Sequence, residues 1–527
     1  MNISRRNFLR LTLALNALSF LRTGTSFAAR KTTLKLGAPV PFSFEILKAL
    51  ARERASHDYV APPQPDPEIV KQIDYDAHGK LQYRKDAALW ADGGSSYPVT
   101  FQHVGMFFPK TVSMNVVEKG MAREIQYDPN LFTIGPDHIA SALPANPSAF
   151  AGFWVHENRF KKPDWKTREP CVTFLGASYF RAIGELGQVG LSARGIALNP
   201  GMSNPEEFPD FVSFWFEGAR KADDPLIVYA LLDGPSLSGA YRFSIKRTKG
   251  VIMDIEAELF LRKDIDRLGL APLTSMYWFS ETVKPAAVDW RPEVHDSDGL
   301  ALWTGTGEHI WRPLNNPSRI TVSSFVDKSP KGFGLLQRDR VFDHYQDGVR
   351  YHLRPSAWIE PLGDWGEGTV QLTEIPTDDE IHDNIVAMWV PREPATAGKS
   401  YHLRYRLHWL ADEPYPTSLA RCVATRLGNG GQPGKPRPKG VRKFTVEFMG
   451  KPLAKLPFGT KPEPVVTVSR GELSRIEIEA VPDGVAGHWR THFDLAVAGT
   501  DPVEMRCYLR VKDKAMSETW LYQYHPA

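Results

Sequence analysis

The stretch Tyr241-Arg242-Phe243-Ser244-Ile245-Lys246-Arg247-Thr248-Lys249-Gly250-Val251-Ile252-Met253-Asp254-Ile255 decides the fold class. Apolar side chains at 241, 243 and 245 alternate with polar ones, a Thr-Lys-Gly turn follows, and the alternation resumes at 251, 253 and 255. Successive side chains of a strand point to opposite faces, so a period of two on both sides of a turn predicts a hairpin with one buried face. The same alternation runs through Tyr401, Leu403, Tyr405, Leu407 and Trp409, through Phe444, Val446 and Phe448, through Ile476 and Ile478, and through Trp489, Thr491, Phe493, Leu495 and Val497. Helical periodicity is convincing only around residues 44–51. The 42 prolines and 41 glycines are spread along the chain, as many short strands with many turns require. The chain is predicted to be mainly β.

With 527 residues the chain exceeds one ordinary domain. The best boundary follows Trp409, where Ala411-Asp412-Glu413-Pro414-Tyr415-Pro416 interrupts the strand pattern. Residues 32–412 then form a large first domain and residues 420–527 a second one with the size and texture of an immunoglobulin-like sandwich. Within the second, residues 428–440 form a basic Gly/Pro loop without an apolar anchor, expected to be mobile. At the other end, Arg5-Arg6 is followed by Phe8-Leu9, a short apolar run over 11–21, and Ser26-Phe27-Ala28, the n-, h- and c-regions of a twin-arginine export signal spanning residues 1–28. That run is too short for a permanent membrane helix. Removing residues 1–28 removes Arg5, Arg6, Arg10 and Arg22 and no acidic residue, which takes the net charge from +3 to −1. Neither nucleic-acid binding nor a polybasic anchor is indicated. Three cysteines, Cys171, Cys422 and Cys507, allow at most one disulfide, and Cys507 reads as part of an apolar strand face.

The familiar catalytic signatures fail letter by letter. There is no G-x-S-x-G, no H-E-x-x-H, no phosphate loop and no C-x-x-C, and the histidines lack metal-ligand spacing. Two carboxylate-rich loops remain. One is His295-Asp296-Ser297-Asp298-Gly299, and the other is Asp378-Asp379-Glu380-Ile381-His382-Asp383-Asn384, just before an apolar strand. Each is also ordinary turn chemistry. D-x-D opens calcium loops as well, but no bidentate Glu follows at the required distance. Glycoside hydrolysis needs one protonated carboxyl for the leaving oxygen and one carboxylate to activate water, and two acidic loops supply both. Trp303, Trp311, Tyr345, Trp358 and Trp365 lie between the loops in sequence, and aromatic faces suit the C–H faces of glucose, although each alone reads more readily as core.

The chain resembles the periplasmic glucan biosynthesis proteins G and D. The resemblance rests on His295-Asp296-Ser297-Asp298, Asp383-Asn384-Ile385-Val386 and His344-Tyr345-Gln346-Asp347, together with the stretches 174–181, 190–195, 207–211, 312–317, 330–337 and 517–524. The twin-arginine signal matches the D-type members. The resemblance implies a large N-terminal β-sandwich of the galactose-mutarotase-like kind followed by the immunoglobulin-like sandwich. It also implies a periplasmic, inverting endo-β-1,2-glucanase acting on linear β-1,2-glucan chains without metal or other cofactor. Asp383 matches the general acid of that family and Asp296 the general base, while Glu380, Tyr345, Arg354, Trp358 and Glu360 fall on family motifs for the proton path or glucose subsites. Transglycosylation to cyclic glucan on the same site, and a non-catalytic scaffold serving an inner-membrane glucan synthase, are the alternatives. A homodimer is the implied assembly.

Overall fold

The hairpin forms as its alternation requires. Leu237–Arg247 pairs antiparallel with Val251–Leu261 in unbroken register, from Leu237↔Leu261 to Arg247↔Val251. Tyr241, Phe243, Ile245, Val251, Met253 and Ile255 are all buried. The next strand, Ser400–Leu410, lies against it with Val251 opposite Trp409. Gly250 makes this approach possible, because a Cβ there would stand 1.8 Å from the Trp409 carbonyl oxygen. The computed structural model describes residues 34–159, 164–283 and 289–526, and the export signal expected at residues 1–28 lies outside them.

Among the described residues the hairpin is central to a mixed sheet of sixteen strands, and a second sheet of ten strands faces it. The layer between them is aromatic. Phe153, Phe174 and Phe180 of the ten-stranded sheet meet Phe214, Phe243 and Trp409 of the larger one at centroid separations of 4.8, 5.1 and 6.0 Å, all edge to face. Such contacts give rigid packing from few side chains. The expected helix is Phe44–Ala55, capped by the Ser43 hydroxyl accepting from the Ile46 amide, and it buries Leu47 and Ala51 on the outer face of the larger sheet. The chain is mainly β, as its periodicity predicts.

A four-stranded sheet follows the break at 411–416, ordered Arg421–Asn429, Val441–Met449, His488–Ala496 and Glu472–Ala480. Its inner face, with Phe444 and Phe493, packs on Trp520, Tyr522 and Tyr524. Those last residues belong to Thr519–Tyr524, which pairs in parallel with His309–Pro313 and so extends the sixteen-stranded sheet. The chain breaks at 411–416, but the hydrogen-bonded sheet runs on through Ile310↔Thr519 and Trp311↔Trp520. Ile476 departs from its pattern: it is exposed, because the register of its edge strand shifts between Ser474 and Glu477. The basic loop has a polar anchor, since the Gly431 amide donates to the buried Asp494 carboxylate. All three cysteines are buried and unpaired.

Gly250→Ala is expected to destabilise the protein by about 2–3 kcal/mol, as overpacking against backbone does. Gly79→Ala, in a helix where a Cβ meets nothing within 4 Å, should be neutral or stabilising by up to about 1 kcal/mol. Denaturant midpoints of the two variants check both.

Candidate active site

Both acidic loops are fixed to one short strand. Tyr277–Phe279 pairs with Val294–His295, with Tyr277 opposite His295. The Asn384 side chain closes on the same residue: its Oδ1 accepts from the Tyr277 amide at 2.8 Å, and its Nδ2 donates to the Tyr277 carbonyl at 2.8 Å and to the Ile375 carbonyl at 2.9 Å. Asp296 follows His295 and Asp383 precedes Asn384. Each acid is therefore one residue from a group bound to Tyr277, and the Asp296 amide donates to the Met276 carbonyl at 2.8 Å.

The ring of His295 is wholly buried, stacked on Tyr277 at 5.6 Å. Its Nε2 lies 3.0 Å from Glu293 and its Nδ1 3.1 Å from the Gln337 side-chain oxygen. Burial opposes charge on this ring, but the hydrogen bond to Glu293 and the carboxylates of Asp298, Glu293 and Asp339 outweigh it, raising its pKa to about 9. Imidazolium donates from both nitrogens, which suits these two acceptors. Asp298 turns away and accepts the backbone amides of Arg338 and Asp339. The H-D-S-D motif thus divides its labour: His295 and Asp298 hold loops together, and Asp296 faces a different partner.

That partner is Arg354, buried, with its Nε 3.6 Å from the Asp296 carboxylate and its Nη1 donating to the Val189 carbonyl at 2.6 Å. The guanidinium lies 5.3 Å from the centre of the Tyr351 ring and in the field of Asp347, Glu380 and Asp383. Tyr351 donates its hydroxyl to Glu380 at 2.6 Å, and Arg291 donates to Glu380 at 2.8 Å and to Asp347 at 2.7 Å. On the other side, Asp383 acts electrostatically on Arg194 and Tyr179. Arg194 is buried, bonds Thr274 at 2.8 Å, pairs with Glu206 and lies over the rings of Tyr179 and Phe208. Asp296 is fully buried, whereas Asp383 and Glu380 are half-exposed.

Of the residues singled out from sequence, Asp296, Asp383, Arg354 and Glu380 come together in this network. Tyr345 is buried behind it, its hydroxyl accepting from the Gln337 amide at 3.0 Å. Trp358 is 1% exposed and packs in the cluster of Trp311, Leu336 and Trp520, so its face is not presented to a cleft. Glu360 has other partners, His408 at 3.0 Å and the Tyr415 hydroxyl at 3.1 Å. Arg194, Tyr179, Tyr351, Arg291 and Asp347 received no role from the sequence, although Tyr179, Arg194 and Asp347 lie within motifs quoted there. Among the described residues, Glu293, Asp339 and His344 bring possible metal-ligand atoms within 4.8 Å of one another. Both carboxylates already face an imidazole, His295 and His344 respectively.

Folding favours the protonated form of His295. That contribution is complete below about pH 6.5 and is lost as the pH rises through about 9. The melting temperature should therefore fall between those values, and fall less in His295→Gln. Asn384→Ala strands three backbone groups and is expected to cost on the order of 3 kcal/mol in denaturant unfolding, with a lower kcat and a less affected KM on the substrate proposed below.

The model of the family described as Periplasmic glucan biosynthesis protein, MdoG, matches residues 42–524. The chain is 61% identical over 507 residues to glucans biosynthesis protein D 2 of Ralstonia nicotianae, spanning 95% of this chain and 94% of that protein. It is 45% identical over 533 residues to glucans biosynthesis protein D of Stenotrophomonas maltophilia, spanning 99% and 98%. To glucans biosynthesis protein D of Xanthomonas axonopodis pv. citri it is 43% identical over 534 residues, again spanning 99% and 98%. The matched region contains the whole Tyr277 frame and both acidic loops, and the chain belongs to the periplasmic glucan biosynthesis protein family, MdoG.

Proposed function

We propose that this chain is an inverting endo-β-1,2-glucanase acting on linear β-1,2-glucan in the periplasm, reached by twin-arginine export, with Asp383 as general acid and Asp296 as general base. The observation that carries the reading is the attachment of both acidic loops to Tyr277, with Arg354 beside Asp296 and in the field of Asp383. Relatives named for glucan biosynthesis support the substrate class. In the same reading residues 32–412 form a galactose-mutarotase-like sandwich and residues 420–527 an immunoglobulin-like one.

The chemistry follows from burial. Asp383 is half-exposed whereas Asp296 is buried, and in this reading its carboxyl gives the glycosidic oxygen a proton as the bond breaks. Water must then attack from the opposite face of the ring, and its proton must leave towards the base. Asp296 is fully buried and cannot meet an open sugar chain directly. The proton reaches it through an ordered water or a sugar hydroxyl, a long route compatible with inversion, in which the two carboxyls stand well apart. Arg354 balances the charge of Asp296 inside the protein, where an uncompensated carboxylate is costly. Tyr351, hydrogen-bonded to Glu380, lies beside the Arg354 guanidinium.

Incubation with linear β-1,2-glucan followed by mass analysis tests the proposal. Short linear products are expected, with the α-anomer formed first, and Asp383→Asn or Asp296→Asn should slow their release by about 10²–10⁴-fold. Products lighter by one water, meaning rings, would move the reaction to transglycosylation. Glucan left intact by every form would leave a binding scaffold.

A further inference from the structure

After the strand Val441–Met449 the chain makes one helical turn, Lys451–Ala454, and then a loop before Glu463–Val468. Leu453 is buried and Leu456 packs on the C-terminal core, so the segment is anchored. Between these anchors and the next strand stands Phe458, with a relative exposure of 108%. It is held there by construction: the Thr460 amide donates to the Pro457 carbonyl at 3.0 Å, and Gly459 takes a φ of +79°. A hydrogen-bonded turn with positive φ at its third residue puts Phe458 at the outward corner. Ala454 and Pro457 beside it are exposed, and so is Met449 at 40%. The loop carrying Val485, 48% exposed, bonds to this segment through the Gly487 carbonyl and Gly450 amide.

The charges within this apolar segment are all of one sign. Residues 449–462 contain Lys451, Lys455 and Lys461, all exposed, and no acidic residue. The acids that flank it are engaged, Asp483 with His488 at 2.7 Å and Glu463 with Arg510 at 2.8 Å. An aromatic ring displayed on a hydrogen-bonded turn, in a segment whose only charged residues are exposed lysines, is the complement of an anionic bilayer surface, where the ring enters the acyl boundary and the ammonium groups meet phosphates. We propose that this tip docks the protein on anionic lipid membranes. The docking is peripheral and reversible, since one ring and three lysines fall far short of an anchor.

The chain from residue 29 onwards is mixed with phosphatidylcholine vesicles, with or without phosphatidylglycerol, and sedimented at low and high salt. Binding is expected only to the anionic vesicles and should weaken with salt. Phe458→Ser should lower the partition about tenfold or more. The combined Lys451→Gln, Lys455→Gln and Lys461→Gln variant should lose the preference for phosphatidylglycerol, with thermal midpoints unchanged in both variants. Equal binding to both vesicle types, or binding indifferent to these substitutions, overturns the proposal. It is equally overturned if no vesicle binds and Phe458→Ser instead abolishes self-association in analytical ultracentrifugation, which would assign the tip to a second copy.

Discussion

The main chain of Tyr277 is the constraint on which the site depends. Its amide and carbonyl are both taken by one side chain, Asn384, and its strand partner is His295. Asp383 and Asp296 come from loops almost ninety residues apart in sequence, and loops of that kind drift unless something indexes them. A carboxamide matched to a backbone N–H and C=O is such an index, because both of its bonds fail together if the loop slips. The aromatic layer between the sheets supplies the rigid body to which the index refers.

Around that frame the protein carries an unusual load of buried charge, compensated residue by residue. Arg354 faces Asp296, Arg291 faces Asp289, Asp347 and Glu380, Arg194 faces Glu206, Arg312 faces Glu374, and the His295 imidazolium faces Glu293. Where a buried group has a single ion-pair partner, as Glu374 has Arg312, replacing that partner leaves its counterpart uncompensated, which is the costly case for ion pairs. Such a network is poor economy for stability alone. It is well suited to a site in which protons move between groups of fixed position.

The sequence was most legible where physics is local. A period of two at 241–255 and 401–409 requires strands, and the strands are there. The two acidic loops could be singled out because carboxylates set close together among aromatics are chemically conspicuous. Alternation does not say which face of a strand meets a cleft and which meets the core, so Trp358 read as a sugar platform yet lies in the core. Spacing gave Arg291 and Arg194 no role at the site, because Glu380 lies 89 residues from Arg291 and Thr274 lies 80 from Arg194. The parallel pairing of Trp311 with Trp520 was equally silent, since parallel neighbours need no turn between them.

That pairing changes how the C-terminal part should be understood. An appended module joined by a linker would leave the site loops to fend for themselves, but here its strands grip them. Glu518, at the start of the last strand, pairs with Arg338, whose amide is accepted by Asp298 of the H-D-S-D motif. The Thr425 amide donates to Glu281, a few residues beyond Tyr277. Asn315, which donates to the Gln523 carbonyl, also donates its amide to Glu374, the residue before the Ile375 held by Asn384. Each loop that fixes an acid is therefore braced from behind by the C-terminal strands, and the last strand could not be removed without loosening both. The second body is part of the machinery that holds the two carboxylates in place.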